Sequence, residues 1–164
     1  MFTDLTTFIA YLQSISQTVT TVMSGSIAPS GFKFFQHGDI ERLISDSRSE
    51  QNFDYPLLWL ETPRISFRDN DAGLLEAIFQ TSFVTLTEVK SDDYTLQDLA
   101  WNDMFLLTSA VIQKLNHDSK ASRGKMNLSL NSISSENISR IWVDSDYGWR
   151  TDVKVSIPIN SKLC

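Results

Sequence analysis

The stretch Trp149-Arg150-Thr151-Asp152-Val153-Lys154-Val155-Ser156-Ile157-Pro158-Ile159 alternates with a period of two. Trp149, Thr151, Val153, Val155, Ile157 and Ile159 share one face of a strand, and Arg150, Asp152, Lys154 and Ser156 share the other. A strand with one apolar and one wet face belongs to an antiparallel sheet, because parallel sheets are covered on both faces. Just upstream, Ile138 to Asp144 reads as a second strand. Asp146-Tyr147-Gly148 lies in the connection, with Gly148 able to take positive φ. The chain therefore ends in a β-hairpin.

Working outward, Phe53 to Thr62 (FDYPLLWLET) is the strongest remaining strand signal. Leu58 and Leu60 point one way, and Leu57, Trp59 and Glu61 the other. Pro56 sits at the strand's start, and Pro63 ends or bends it. Arg64 to Arg68 continues as an extended piece. Asp69 to Gly73 is a polar turn, and about Glu76 to Lys90 is extended again, rich in Thr, Val and Phe. Phe32 to Phe35 reads as a short aromatic strand after the turn Gly25 to Gly31.

Three helices complete the reading. Leu5, Phe8, Ile9, Leu12, Ile15, Val19 and Val22 recur at helical spacing and predict a helix from about Asp4 to about Met23, capped by Thr3 or Asp4. Its other face is nearly uncharged, which suits plain polar surface or a face packed on another chain. Asp39 caps a short helix to about Arg48, with Ile40, Leu43 and Ile44 as its stripe. A long helix from about Leu96 to Asn116 follows a capping-box variant, Thr95 with Asp98. It is apolar around more than one face and is expected to be well buried. Elements in this order predict an α+β fold over a single domain, residues 1–164. Its sheet is mostly antiparallel and packs against two long helices, with a short helix and a C-terminal β-hairpin.

Composition bounds the function. The 164 residues carry a formal net charge of −6, with 41% hydrophobic and 21% charged residues. That balance supports one packed core and argues against global disorder. The acidic excess argues against tight duplex DNA binding, which needs many phosphate-neutralising cations. The apolar runs, Met104 to Leu107 among them, are too short to span a bilayer, so no membrane partner is expected. The N-terminus lacks the basic and cleavage regions of a signal peptide. Cys164 is the sole cysteine, so no intramolecular disulfide can form.

Catalytic constellations are sparse. His37 and His117 lie outside any nucleophile motif and read as a turn residue and a helix-end residue. One cysteine and two distant histidines do not make a familiar zinc set. Asp69, Asp71, Gly73 and Asp144, Asp146, Gly148 have the Asp-x-Asp-x-Gly form of calcium loops, but lack the further ligands and suit turns. Glu88, Asp92 and Asp93 read as exposed charges between strand and helix. There is no phosphate-cradling glycine loop, and no cofactor is expected. Lys120, Arg123 and Lys125, with Lys114 near, form a small basic cluster on the loop 117–130, expected to be polar and mobile. It lacks interleaved aromatics, which reads as a solvated loop and leaves only transient contact with passing DNA. Trp59, Trp101 and Trp142 read as core. Trp149 beside Tyr147 is a candidate anchor for a partner.

The first helix, the strand FDYPLLWLETP, the long helix after Thr95 and the hairpin IWVDSDYGWRTDVKVSIPI together resemble the phage tail-terminator or tail-completion family. The resemblance is one of pattern and covers most of the chain. It implies a virion protein of the tail or neck, assembled in the host cytoplasm as a homo-oligomeric ring, usually a hexamer. Such a ring caps the tail tube and meets the connector at the head, and it needs no catalytic residues. On this reading the segment 73–90 and the final hairpin make subunit contacts by their strand edges, and the basic loop 118–127 faces the tube or lumen. A monomeric bacterial binding or regulatory module is the competing reading, and a small hydrolase with an unfamiliar site comes third.

Overall fold

The computed structural model describes residues 4–19, 32–39, 54–69, 75–89, 93–139 and 146–159. The fold is α+β, with a seven-stranded mixed sheet and two α-helices among the described residues. Apart from its expected cap Asp39, the predicted short helix to Arg48 falls outside the described residues, as do the turn at 25–31, Trp142, Cys164, Asp71, Gly73 and Asp144.

Two fourteen-residue strands form the middle of the sheet: β4 (Leu75–Glu88) and β7 (Asp146–Ile159). They pair antiparallel from Leu75 opposite Ile159 to Glu88 opposite Asp146. One edge of β4 carries β2 (Leu57–Glu61) and β3 (Arg64–Asp69) end to end, both antiparallel. β1 (Phe34–Gly38) lies outside β2 and runs parallel to it. The free edge of β7 takes β5 (Asn127–Leu128) and β6 (Ser134–Ser139), again antiparallel. A short 3₁₀ turn, Leu130–Ser132, links these last two.

The hairpin is therefore present with shifted bounds. Its first strand starts at Ser134, and its second starts at Asp146, inside the expected connection. Gly148 is a strand residue opposite Leu86, with no positive φ. Its role is close approach: a Cβ there would lie 1.8 Å from the Thr85 carbonyl oxygen. Glycine lets β7 press on β4 where any side chain would push the strands apart.

Helix α1 (Leu5–Thr18) is shorter than the expected helix to Met23, because Val19 adopts an extended backbone. Asp4 caps it: Asp4 Oδ1 accepts from the Thr7 amide at 2.9 Å, and Thr7 Oγ1 accepts from the Asp4 amide at 3.1 Å. Helix α2 (Tyr94–Ala121) is longer than expected at both ends. Its cap is Asp93, whose Oδ1 accepts from the Thr95 amide at 2.8 Å, in place of the Thr95–Asp98 pair. The carboxylate two residues before Thr95 wins because it reaches an orphan helical amide directly.

Both helices pack on one sheet face. Phe8, Leu12 and Ile15 of α1 and Met104, Leu107, Val111 and Leu115 of α2 meet Leu58, Leu60, Phe79, Phe83, Val153, Val155 and Ile157. Phe8 stacks on Phe79 with ring centroids 4.8 Å apart. Burying each such side chain stabilises the fold by about 1.5–3 kcal/mol relative to exposure. A polar clasp sits within this layer: the hydroxyls of Thr85 on β4 and Thr108 on α2 lie 2.8 Å apart and are buried. On the opposite face Leu57, Trp59, Val84 and Leu86 form a second small core with Tyr55 and Ile138. Tyr55 donates its hydroxyl proton to the fully buried Asp146 at 2.9 Å.

Candidate functional site

The junction of β2 and β3 decides what the sheet offers to a partner. Leu60 pairs with Phe83, and Arg64 pairs with Gln80. Three residues, Glu61 to Pro63, thus face only Thr81 and Ser82, which is a β-bulge. Pro63 has no amide proton and suits such a place. The Thr81 hydroxyl donates to the Glu61 carbonyl at 2.6 Å, satisfying a group the ladder leaves open.

The bulge shifts the alternation by one. Upstream, Leu58 and Leu60 face the helices; downstream, Ile65 and Phe67 take that side, opposite Phe79 and Ala77. Ile65 is 41% exposed, Phe67 64% and the adjacent Leu75 44%. All six residues of β3 are exposed, and no strand pairs with its outer edge among the described residues. An apolar patch beside an open row of backbone donors and acceptors is a template for another strand. Pattern reading placed Arg64 to Arg68 as a strand but missed this patch, because a bulge leaves no signal in the alternation.

β4, by contrast, is hydrogen-bonded along both edges, so the segment expected to make subunit contacts offers no strand edge. At the opposite edge of the sheet, β6 has five of six residues exposed and pairs only with β7 among the described residues.

A polar network fills the bulge on the face away from the helices. Arg150 donates to Glu61 through Nε at 2.8 Å and Nη2 at 3.1 Å, and to Ser82 Oγ at 2.7 Å. Asp152 lies 3.1 Å and Glu136 3.6 Å from its Nη1. The bidentate bond to Glu61 first, and then the other carboxylates, raise the Arg150 pKa further against the opposing effect of burial. The network lines a polar cavity of about 270 Å³ with Arg64 and Gln80.

The predicted basic residues divide between two sides of one turn. Lys120 belongs to the last turn of α2, and Arg123 and Lys125 follow in the turn beyond it. The segment expected to be a polar loop is thus helical to Ala121 and then tightly bonded. Ser122 Oγ donates to the Met126 carbonyl and accepts from the Met126 amide, both at 3.0 Å, and Ser119 Oγ accepts from the Leu128 amide at 3.0 Å. Arg123 is left-handed at φ 53°, followed by Gly124 at φ 82°. A helix end favours this conformation, normally on glycine, so Arg123 carries local strain.

Arg123 and Lys125 line a cleft of about 460 Å³ with Tyr11, Asp118, Ala121, Ser122 and Met126. Lys120 faces a different cavity, beside Glu76, Asn127 and Pro158. Within the cleft Asp118 accepts from Tyr11 Oη at 3.0 Å, Lys114 Nζ at 2.6 Å and His117 Nδ1 at 3.1 Å. Burial alone would raise its carboxyl pKa, but these three donors hold it below the ordinary value. Burial, with Asp118 beside it, pushes the Tyr11 phenol well above its ordinary value.

Tyr147 and Trp149 both turn toward α2. Tyr147 is 3% exposed and meets Trp101 edge-on at 5.4 Å. Trp149 is half-buried, donates from Nε1 to the Trp101 carbonyl at 2.9 Å and meets Phe105 at 5.8 Å. Trp59 is fully buried and Trp101 half-buried. His37 and His117 are both exposed. Among the described residues no group of three or more His, Cys, Asp or Glu is placed to hold a metal ion. No helix there is long and apolar enough to cross a membrane. No protein-family model and no curated protein matches the sequence.

Proposed function

We propose that this chain is a structural assembly protein of a virus particle: the ring subunit of a phage tail terminator or neck, which caps the tail tube and joins it to the head-side connector. The observation that carries this reading is the β3 edge, where Ile65, Phe67 and Leu75 are exposed and no strand pairs with the outer side among the described residues. Natural edge strands are normally shielded by charge, proline or a covering loop. β3 carries Arg64 and Arg68 on one face but keeps Ile65 and Phe67 exposed on the other, and that apolar face suits a protein that works by joining other chains.

The mechanism is steric. Each subunit buries two different patches on its two neighbours, and repetition of that contact closes a ring. The ring's bore, not a reacting group, then does the work of ending a tube. The paired cations Arg123 and Lys125 suit a surface turned to the tube or lumen. The test is electron microscopy of the concentrated protein. Closed rings of uniform diameter support the reading, whereas isolated subunits at every concentration, or open filaments, count against it.

The cleft favours a second reading. Its volume lies within the range of small-ligand sites, and among the described residues neither Arg123 nor Lys125 makes an ion pair. A monomeric module binding an apolar anion would use it. Saturable binding of such a ligand to a strict monomer supports that alternative.

A further inference from the structure

Among the described residues β1, β3, β5 and β6 each pair on one side only, and two of these edges, β3 and β6, are suited to each other. We propose that the β3 edge of one copy pairs antiparallel with the β6 edge of the next, so that the sheet runs on from subunit to subunit. This rests on the ring reading and specifies its contact.

Three observations support the pairing. First, β3 and β6 lie on opposite sides of the β4–β7 ribbon and each spans six residues; they are offset along it, β3 pairing with β4 from Leu75 to Gln80 and β6 with β7 from Tyr147 to Asp152, so continuation of the sheet staggers successive subunits. Strands in the run β3–β4–β7–β6 alternate in direction, so β3 and β6 are antiparallel within one subunit. A neighbour brought alongside by rotation presents its β6 antiparallel to β3, in the stronger of the two ladder types. Each contact uses one edge of each kind, which is the heterologous arrangement a ring requires.

Second, charge is complementary on the face away from the helices. There β3 presents Arg64, opposite Gln80, and Arg68, whose Nη2 already donates to Glu76 at 2.8 Å, and β6 presents Glu136, opposite Arg150 and 3.6 Å from it. Arg64 and Arg68 are exposed, and the Glu136 side chain is 68% exposed. With Ser66 opposite Glu136, the carboxylate lies diagonally between the two guanidinium groups, within reach of both.

Third, the apolar residues fall on the matching face. Ile65 and Phe67 lie on the helix side of β3. In the same register Phe67 adjoins the start of β6, immediately after exposed Leu130 and half-buried Ile133. Ile133 packs on the helix side and stands diagonal to Phe67 in this register, supplying cover that Phe67 lacks within one subunit.

The test uses two variants of the full chain and a mixture. Phe67→Lys blocks the β3 edge, and Leu130→Lys with Asn137→Lys blocks the β6 edge. All three positions are exposed, so both variants are expected to keep the wild-type circular dichroism and urea midpoint. Each variant alone should be monomeric at concentrations where the wild type is multimeric. An equimolar mixture retains one intact edge of each kind and should give a two-subunit complex, twice the mass of either variant alone. Folded variants whose mixture stays monomeric overturn the pairing. So does a β6 variant that still dimerises, since that means β3 pairs with itself. Wild-type multimers left intact by both variants overturn the pairing but not the ring, whereas a wild type monomeric at every concentration overturns both.

Discussion

The Thr81 hydroxyl donates a 2.6 Å hydrogen bond to the backbone carbonyl of Glu61, across the bulge where β2 gives way to β3. This contact holds the extra residue that turns Ile65 and Phe67 to the helix side. Thr81→Val keeps the shape and removes the donor, leaving a carbonyl poorly satisfied. The expected loss is about 1–3 kcal/mol of stability. It is read as a lower urea midpoint with unchanged slope. Self-association should weaken in the same variant, because the edge loses its fixed presentation.

Gly148→Ala tests the close approach of the two long strands. The new methyl meets the Thr85 carbonyl carbon and oxygen and the Leu86 side chain, and two of those three atoms are backbone. Relief requires β4 and β7 to separate where they are fully paired. The expected cost is at or above the upper end of the ~1–3 kcal/mol typical of overpacking. A wild-type urea midpoint would contradict the account of this position.

The clasp between α2 and the sheet predicts coupling. Thr85 and Thr108 are each buried and their hydroxyls lie 2.8 Å apart, while the Thr85 hydroxyl also reaches the Trp149 carbonyl at 3.5 Å. Thr85→Val and Thr108→Val should each lower stability by about 1–3 kcal/mol by leaving the other hydroxyl short of a partner. The double variant should lose less than the sum, because both groups go together. Strict additivity in a double-mutant cycle would mean the two hydroxyls do not act as a pair.

Asp118 predicts a defined acid response. Its folded carboxyl lies below the ordinary value of 3.8, so the unfolded chain binds a proton there more readily. Its contribution is whole above that value and is lost as pH falls through the lower folded value. The stability gap between wild type and Asp118→Asn should therefore hold from neutral pH down to the carboxylate range, then shrink. Urea midpoints across the pH series measure it. A gap unchanged down to about pH 2 would contradict the assignment.

Much of the fold was legible because period-two alternation is a strong signal. Val153, Val155 and Ile157 revealed the inner face of β7, and Leu58 with Leu60 revealed that of β2. Ends were less legible. Asp93 and Thr95 are both good caps, and only the three-dimensional reach of the carboxylate decides between them. Gly148 looked like a turn residue because glycine serves turns and close contacts alike. The basic cluster was found by composition, but its split between two cavities follows from the path of the chain after Ala121. The β3 patch was illegible for a definite reason. A one-residue bulge reverses which residues face the helices, and Pro63, which marks a strand end and a bend equally well, does not reveal that shift.

The central claim is self-association through the sheet edges, and its most direct measurement is mass in solution by light scattering after size exclusion, across a wide range of concentration. The subunit mass is 18.6 kDa. The account predicts that concentration drives the chain into one discrete multimer of closed symmetry, which Phe67→Lys abolishes without unfolding the protein. A single species of subunit mass at the highest concentration reached would contradict it.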